Sequence, residues 1–154
     1  MYSIDSAALI DAWVRKYPPD FLPSLWDQLS GLAESGALVA PEDVLLELKR
    51  GADDLYDWAL ARPNMFHAPS EPIQARVAHI VNTFPAFLPE RSPDGIWADP
   101  YVIALAQDVE AAVVTSEQLA APNARHPKIP DICAALAVRC LAPLQFFREC
   151  GWRF

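Results

Sequence analysis

The stretch ADPYVIALAQDVEAAVVTSE, residues 98–117, places an apolar helix directly before a strand. Ala98 or Asp99 begins the helix, because Pro100 suits the first helical turn and the apolar residues after it contain no helix breaker. Ala111–Thr115 is rich in β-branched residues, which favour a strand. A helix that leads at once into a buried strand is typical of an α/β protein with a parallel sheet.

The rest of the chain repeats this alternation of strands and helices. Three further strands are expected, at Tyr2–Ile4, Leu38–Ala40 and Val138–Leu141. Helices with 3.6-residue periodicity are expected after Ser6 and Asp131, which can cap them, and from Pro41 and Pro143, which suit the first helical turn. The sequence therefore predicts one domain over residues 1–154, with a three-layer α/β/α fold around a central, mainly parallel sheet of about four strands.

Composition excludes several classes of protein. The chain has 154 residues, of which 53% are hydrophobic, and a net charge of −8, which together exclude a disordered chain and a basic nucleic-acid coat. No apolar run reaches the roughly 18 residues of a membrane helix, and the N-terminal residues lack the features of a signal peptide. The three cysteines form no CxxC pair, so we expect no disulfide framework, no zinc site and a cytoplasmic location.

Carboxylates recur where this fold brings strand ends together. They are Asp5 after the first strand, Glu47 in the helix after the second, Asp99, Glu117 and Asp131. Open parallel sheets bind ligands at the carboxyl ends of their strands. Carboxylates that converge there without a basic partner repel one another and need cations, and oxygen ligands favour Mg²⁺ or Mn²⁺. Two such ions can activate water and stabilise the leaving oxygen in phosphodiester hydrolysis.

Each of these acids also has an ordinary structural interpretation. Asp5, Asp99 and Asp131 stand at helix starts, where an aspartate commonly caps the first turn. Glu117 would be a loop acid, and Glu47 a solvent-facing residue of an amphipathic helix. The combination, rather than any single residue, indicates a metal site.

Four segments resemble the pattern of the PIN-like domain family. They are Ile4–Ser6, Val44–Leu48, Ala98–Ala106 and Val113–Glu117. Both ends of the chain are similar to a bacterial branch of PIN-like proteins that has long been labelled a domain of unknown function. The resemblance covers nearly the whole chain, and it implies that Asp5, Glu47 and Asp99 are catalytic metal ligands.

The resemblance implies further roles by position. Glu117 stands where the family usually has an aspartate, as a fourth catalytic carboxylate and metal ligand. Asp131 and Lys128 match the bacterial branch rather than the general pattern, Asp131 as a ligand and Lys128 as a substrate contact. The other predicted substrate-binding residues are Ser6, Thr115 and Ser116.

The implied activity is that of a metal-dependent endoribonuclease using Mg²⁺ or Mn²⁺, often the toxin of a type II toxin–antitoxin pair. The implied partners are an RNA substrate, an antitoxin protein and a second copy of the chain in a homodimer, with no membrane. A catalytically inactive PIN-like interaction module is the alternative, and it predicts no binding of these metals. A phosphoacceptor receiver fits less well, because Lys128 does not follow a strand and the acidic pair after the first strand is missing.

Overall fold

A five-stranded sheet forms the centre of the chain in a computed structural model that describes residues 1–89 and 92–154. The strands are β1 (Tyr2–Ile4), β2 (Leu38–Pro41), β3 (Phe66–His67), β4 (Ala112–Val114) and β5 (Cys140–Leu141). All four pairings between neighbouring strands are parallel, in the order β3-β2-β1-β4-β5.

Eight α-helices accompany these strands within the two described ranges. They are α1 (Ser6–Asp11), α2 (Pro23–Glu34), α3 (Glu42–Lys49), α4 (Asp54–Leu60), α5 (Glu71–Thr83), α6 (Asp99–Asp108), α7 (Ile129–Ala135) and α8 (Pro143–Glu149). A π-helical turn continues α1 over Ala12–Lys16, and a 3₁₀ turn at Pro63–Met65 precedes β3. Helices packed around one parallel sheet confirm the predicted α/β class and agree with a three-layer α/β/α arrangement.

The sheet is apolar because helices cover it. Every residue of β2 and β4 is buried, as expected of strands in a parallel sheet that is covered on both faces. Helix α6 packs against β1, β2 and α5, and Val102, Ile103 and Leu105 of this helix are at most 1% exposed. Burying one such side chain contributes about 1.5–3 kcal/mol, so these contacts fix α6, and with it Asp99 at its first position.

The winding of the chain reverses on either side of β1. Tyr2 of β1 is in register with Leu38 of β2 on one side and with Ala112 of β4 on the other. Asp5 follows β1, and Thr115 follows β4, at the same edge of the sheet. In open parallel sheets this kind of switch point is where ligands bind.

Two predictions about the sheet are corrected. It has five strands rather than about four, because Phe66–His67 pairs with the end of β2 as an edge strand. The last strand covers only Cys140–Leu141, because the Val138 N–H donates to the Cys133 carbonyl at 2.9 Å and closes the end of α7 instead of joining the sheet.

Three helix starts are also corrected. Asp5, not Ser6, caps α1, because the aspartate is one residue before the helix and accepts from the Ala8 N–H. Pro41 is the last residue of β2 and the N-cap of α3, so it precedes the helix rather than beginning it. Asp131 lies inside the first turn of α7, which begins at Ile129.

No helix in residues 1–89 or 92–154 is long and apolar enough to cross a membrane. The helices are short, and the longest of those described, α5, has 13 residues. About 20 apolar residues are needed to span a bilayer as a helix.

Candidate functional site

Asp5 lies at the centre of the strand-end group of acids. Its Oδ1 accepts a hydrogen bond from the Ala8 N–H at 2.7 Å, and its Oδ2 accepts one from the Thr115 hydroxyl at 2.7 Å. The residue is 2% exposed. The first bond caps α1, and the second ties the end of β1 to the end of β4, so the carboxylate is held rigidly at the switch point.

Thr115 also fixes the position of Glu117. Its Oγ1 accepts from the Glu117 N–H at 3.0 Å, which holds the turn after β4. The Glu117 Oε2 in turn accepts from the Ile129 N–H at 3.0 Å, at the start of α7. One buried threonine thus links the Asp5 carboxylate to the backbone of Glu117.

Glu47 reaches the same region from α3. Its Oε1 accepts from the Ala98 N–H at 3.1 Å, and the nearby Ser6 side chain lowers the pKa of this glutamate. The Arg50 Nη1 lies 3.7 Å from the Glu47 Oε2. Glu47 therefore joins the start of α1, the end of α3 and the residue before Asp99.

Asp99 completes the group from the first position of α6. It lies close enough to Asp5 to raise the pKa of Asp5, and Glu117 has the same effect. Ala98, rather than Asp99, occupies the N-cap position, so helix capping is not what places this carboxylate.

Burial raises the pKa of Asp5 and of Glu47, and repulsion from neighbouring acids of the group adds to the shift at Asp5. Burial is the largest cause that raises the pKa of Asp5 well above its ordinary value, and the charges of Asp99 and Glu117 raise it further. The Thr115 and Ala8 hydrogen bonds oppose this shift. Burial also raises the pKa of Glu47, against the lowering effect of the Ala98 N–H and Arg50. Ionising these two groups therefore costs free energy in the folded chain, and a cation placed beside them would offset that cost.

A cavity of about 290 Å³, here named the acid cavity, opens beside these residues. Its lining includes Glu47, Asp99 and Glu117 together with Phe87, Leu88, Pro89, Ile96, Trp97, His126, Pro127 and Lys128. Three carboxylates thus share one space with an aromatic and apolar wall and two basic side chains. Such a lining suits a ligand that is anionic or metal-bound at one part and flat or apolar at another.

Two other predicted residues have different surroundings. The Asp131 Oδ2 accepts from the Lys128 N–H at 2.8 Å and from the Ala120 N–H at 3.0 Å, so this carboxylate secures the start of α7. Ser116 is half-buried between Thr115 and Glu117. Neither Asp131 nor Ser116 belongs to the lining of the acid cavity.

The described residues, 1–89 and 92–154, contain no group of three or more His, Cys, Asp or Glu side chains that could hold a metal ion as they stand. The donor chemistry nonetheless fits a hard divalent cation, because a carboxylate offers about four lone-pair sites and Asp5 uses two of them. Glu47 and Glu117, which now accept from backbone N–H groups, have flexible side chains that would have to turn toward a cation.

Sequence reasoning missed Trp97, Phe87 and His126 as parts of the site. Trp97 stands two positions before Asp99, which is the signal that could have identified it. Phe87 and His126 come from distant segments, and only the folded chain places them on the same wall.

The comparison with known families gives a match over almost the whole chain. The family model described as Domain of unknown function (DUF4411) matches residues 2–154, and the chain therefore belongs to this family. No curated protein matches the sequence. The resemblance to PIN-like domains stays a prediction.

Proposed function

We propose that this member of the DUF4411 family is a metal-dependent endoribonuclease that hydrolyses RNA phosphodiesters with Mg²⁺ or Mn²⁺. The observation that carries the proposal is the meeting of acids at the switch point. Asp99 and Glu117 raise the pKa of buried Asp5. Asp99, Glu117 and Glu47 line the acid cavity. A divalent cation would neutralise this charge, and its removal would leave the repulsion in place.

In this proposal the four carboxylates have distinct duties. Asp5, held by Thr115 and Ala8, is the rigid ligand, and Asp99 approaches it from α6. Glu47 and Glu117 are the adjustable ligands. A bound divalent cation would supply charge neutralisation at the phosphate and a more acidic water.

Few side chains beside the acid cavity could contact the substrate. Lys128 is exposed, lines the acid cavity and can bind a phosphate oxygen. Ser6 and Thr115 contact Glu47 and Asp5, so their effect on substrate runs through those carboxylates. With a net charge of −8, the chain should hold RNA weakly without metal, and the affinity should depend little on salt. The choice of RNA over DNA follows from the family resemblance.

Calorimetric titration with Mn²⁺ and an RNA cleavage assay test this proposal. Asp99→Asn keeps the shape of the side chain but removes its charge, and we expect it to weaken Mn²⁺ binding and cleavage at least about 100-fold. Losing a residue that only supports a metal ligand costs about 10- to 100-fold, so the loss of a ligand itself should cost at least the upper value. Asp20→Asn changes an exposed aspartate outside the acid cavity and is the matched control. Full cleavage by Asp99→Asn, or cleavage that persists in a chelator, would contradict the proposal.

The biological role that we propose is that of a toxin in a cytoplasmic toxin–antitoxin pair. The three cysteines, Cys133, Cys140 and Cys150, are unpaired, which suits a reducing compartment. The proposed partners are an antitoxin protein and a second copy of the chain. Growth arrest on expression of the wild type but not of Asp99→Asn, relieved by a neighbouring small gene, tests the toxin role.

An inactive interaction module is the second candidate, and Asp5 is the observation that favours it. Both of its oxygens accept hydrogen bonds, one capping α1 and one joining two strand ends. A carboxyl group used in this way has a structural purpose without any metal. Absence of Mn²⁺ binding by the wild type in the same titration would establish this candidate over the nuclease.

A further inference from the structure

The side chain of Trp97 carries a buried hydrogen-bond donor beside the acid cavity. The indole Nε1–H of Trp97 is buried, and no acceptor within residues 1–89 and 92–154 meets it. Leaving a buried donor unsatisfied costs free energy, so an N–H of this kind needs a physical reason.

The other such atom in the described ranges differs in its surroundings. The Nε of Arg62 is also without a partner, but this guanidinium donates through Nη1 to the Trp58 carbonyl at 2.7 Å and lies 4.5 Å above the Trp58 ring. Arg62 thus satisfies part of its own donor set. Trp97 has only one polar atom, and that atom is the unpartnered one.

The surroundings of Trp97 favour a flat ligand. Its ring is half-buried, lies 4.9 Å from the ring of Phe87 and lines the acid cavity together with Asp99. Pro127 and His126 lie in the same lining. Aromatic and proline surfaces next to a phosphate-handling site are the usual means of holding a base, because every base has a π face.

We propose that Trp97 is a nucleobase-binding residue, which stacks against the base next to the bound phosphodiester and, by a turn of the ring that brings its buried indole N–H into the acid cavity, donates to an acceptor of that nucleotide. This inference rests on the proposed function, because the nucleotide is the substrate assigned to the acid cavity. It adds that the substrate is single-stranded at this point, since a paired base cannot present its face to a side chain.

A single nucleotide is the occupant that the cavity favours. Its volume of about 290 Å³ is near the lower end of the range for small-ligand pockets, about 300–1,000 Å³. The three carboxylates of the lining repel any anionic group that no cation neutralises, so the phosphate of the nucleotide depends on the proposed metal, whereas its uncharged base adds no charge to the aromatic wall.

The test uses uncharged probes in a chelator, so that it does not depend on metal binding. Adenosine and ribose are titrated into ¹⁵N-labelled full-length protein, and the indole signal of Trp97 is identified by its loss in Trp97→Phe. We expect adenosine to bind at least about tenfold more tightly than ribose and to move the Trp97 indole signal. Trp97→Phe should weaken adenosine about two- to tenfold, because stacking remains and one hydrogen bond is lost.

Trp97→Ala should abolish the preference for adenosine, while Trp13→Phe, on the π-helical turn and outside this cavity, should leave it unchanged. Equal binding of adenosine and ribose, an unmoved Trp97 signal, or a preference that survives in Trp97→Ala would overturn the inference. The Mn²⁺ titration of Asp99→Asn is independent of these measurements. A metal site without adenosine binding would therefore refute the role of Trp97 and leave the proposed nuclease standing.

Discussion

The two ends of the parallel sheet treat carboxylates in opposite ways. At the carboxyl end, burial raises the pKa of Asp5, and two further acids raise it more. At the amino end, the Arg139 guanidinium lies 2.5 Å from the Glu149 carboxylate and lowers the pKa of Glu149. The Tyr2 hydroxyl also donates to Glu149, at 3.2 Å.

This contrast teaches that charge balance identifies the site better than the size of a cavity. The cavity at the amino end has about 440 Å³, which is more than the acid cavity with about 290 Å³, and its lining includes Arg76, Arg139 and Glu149. There an acid and a base neutralise each other within the chain. A third cavity of about 480 Å³ lies beside Thr115 and Glu117 at the carboxyl end. At the carboxyl end the neutralising charge has to come from outside, which is the property expected of a cation-binding site.

The largest effect is expected from Thr115→Val, which breaks the hydroxyl link between Asp5 and Glu117 without changing the side-chain shape. The substitution removes the donor to the Asp5 Oδ2 and the acceptor of the Glu117 N–H, both at a residue that is 1% exposed. We expect a loss of about 1–3 kcal/mol in the free energy of unfolding, measured with urea.

Thr83→Val is the matched control, because this threonine is exposed at the end of α5. The control should change the free energy of unfolding by no more than about 0.5 kcal/mol. If the two valine variants were equally stable, Thr115 would not organise the carboxyl end.

The next effect is a dependence on pH that Asp5→Asn should remove. The folded-state pKa of Asp5 is raised, so its contribution to stability is fully present below its unfolded pKa of about 4 and is lost as the pH rises through the folded pKa. In a chelator, the melting temperature of Asp5→Asn minus that of the wild type should therefore increase as the pH rises above about 4.

Thermal melts of both proteins between about pH 4 and 8 measure this gain. Asn can still accept from the Ala8 N–H, so the cap of α1 is kept. Asp20→Asn, at an exposed position, should show no such trend. A constant difference between Asp5→Asn and the wild type at every pH would mean that the carboxyl end is not strained by its charge.

The sequence predicted the fold because its signals are local. The apolar residues of α6 and the valines of β4 each depend on short stretches of chain. The position of Asp5 at the end of β1 followed from the same pattern. Once a parallel sheet is assumed, acids after neighbouring strands must share an edge.

The remainder depended on contacts between distant residues. The edge strand β3 has two residues and forms only because β2 offers an unpaired edge, so periodicity could not reveal it. Trp97 looks like any core tryptophan until Phe87 and Asp99 are placed beside it. Asp131, in the first turn of α7, likewise accepts from the Ala120 N–H, 11 positions away, and the sequence alone could not show this contact.

The smallest effect is expected at the amino end, from Glu149→Gln. The folded-state pKa of Glu149 is lowered by Arg139, so its contribution to stability is present above its unfolded pKa of about 4.3 and is lost as the pH falls. The sign is opposite to that of Asp5. The wild type should be slightly more stable than Glu149→Gln at pH 7, and the two should converge as the pH falls below about 4.

Salt separates this surface pair from the buried carboxyl end. The small advantage of the wild type over Glu149→Gln should shrink further in about 1 M salt, where charges are screened beyond about 3 Å. The pH trend of Asp5→Asn should persist there, because buried charges are screened much less. If about 1 M salt reduced the pH trend of Asp5→Asn as much as the advantage of the wild type over Glu149→Gln, the two ends of the sheet would not differ in how their carboxylates are balanced.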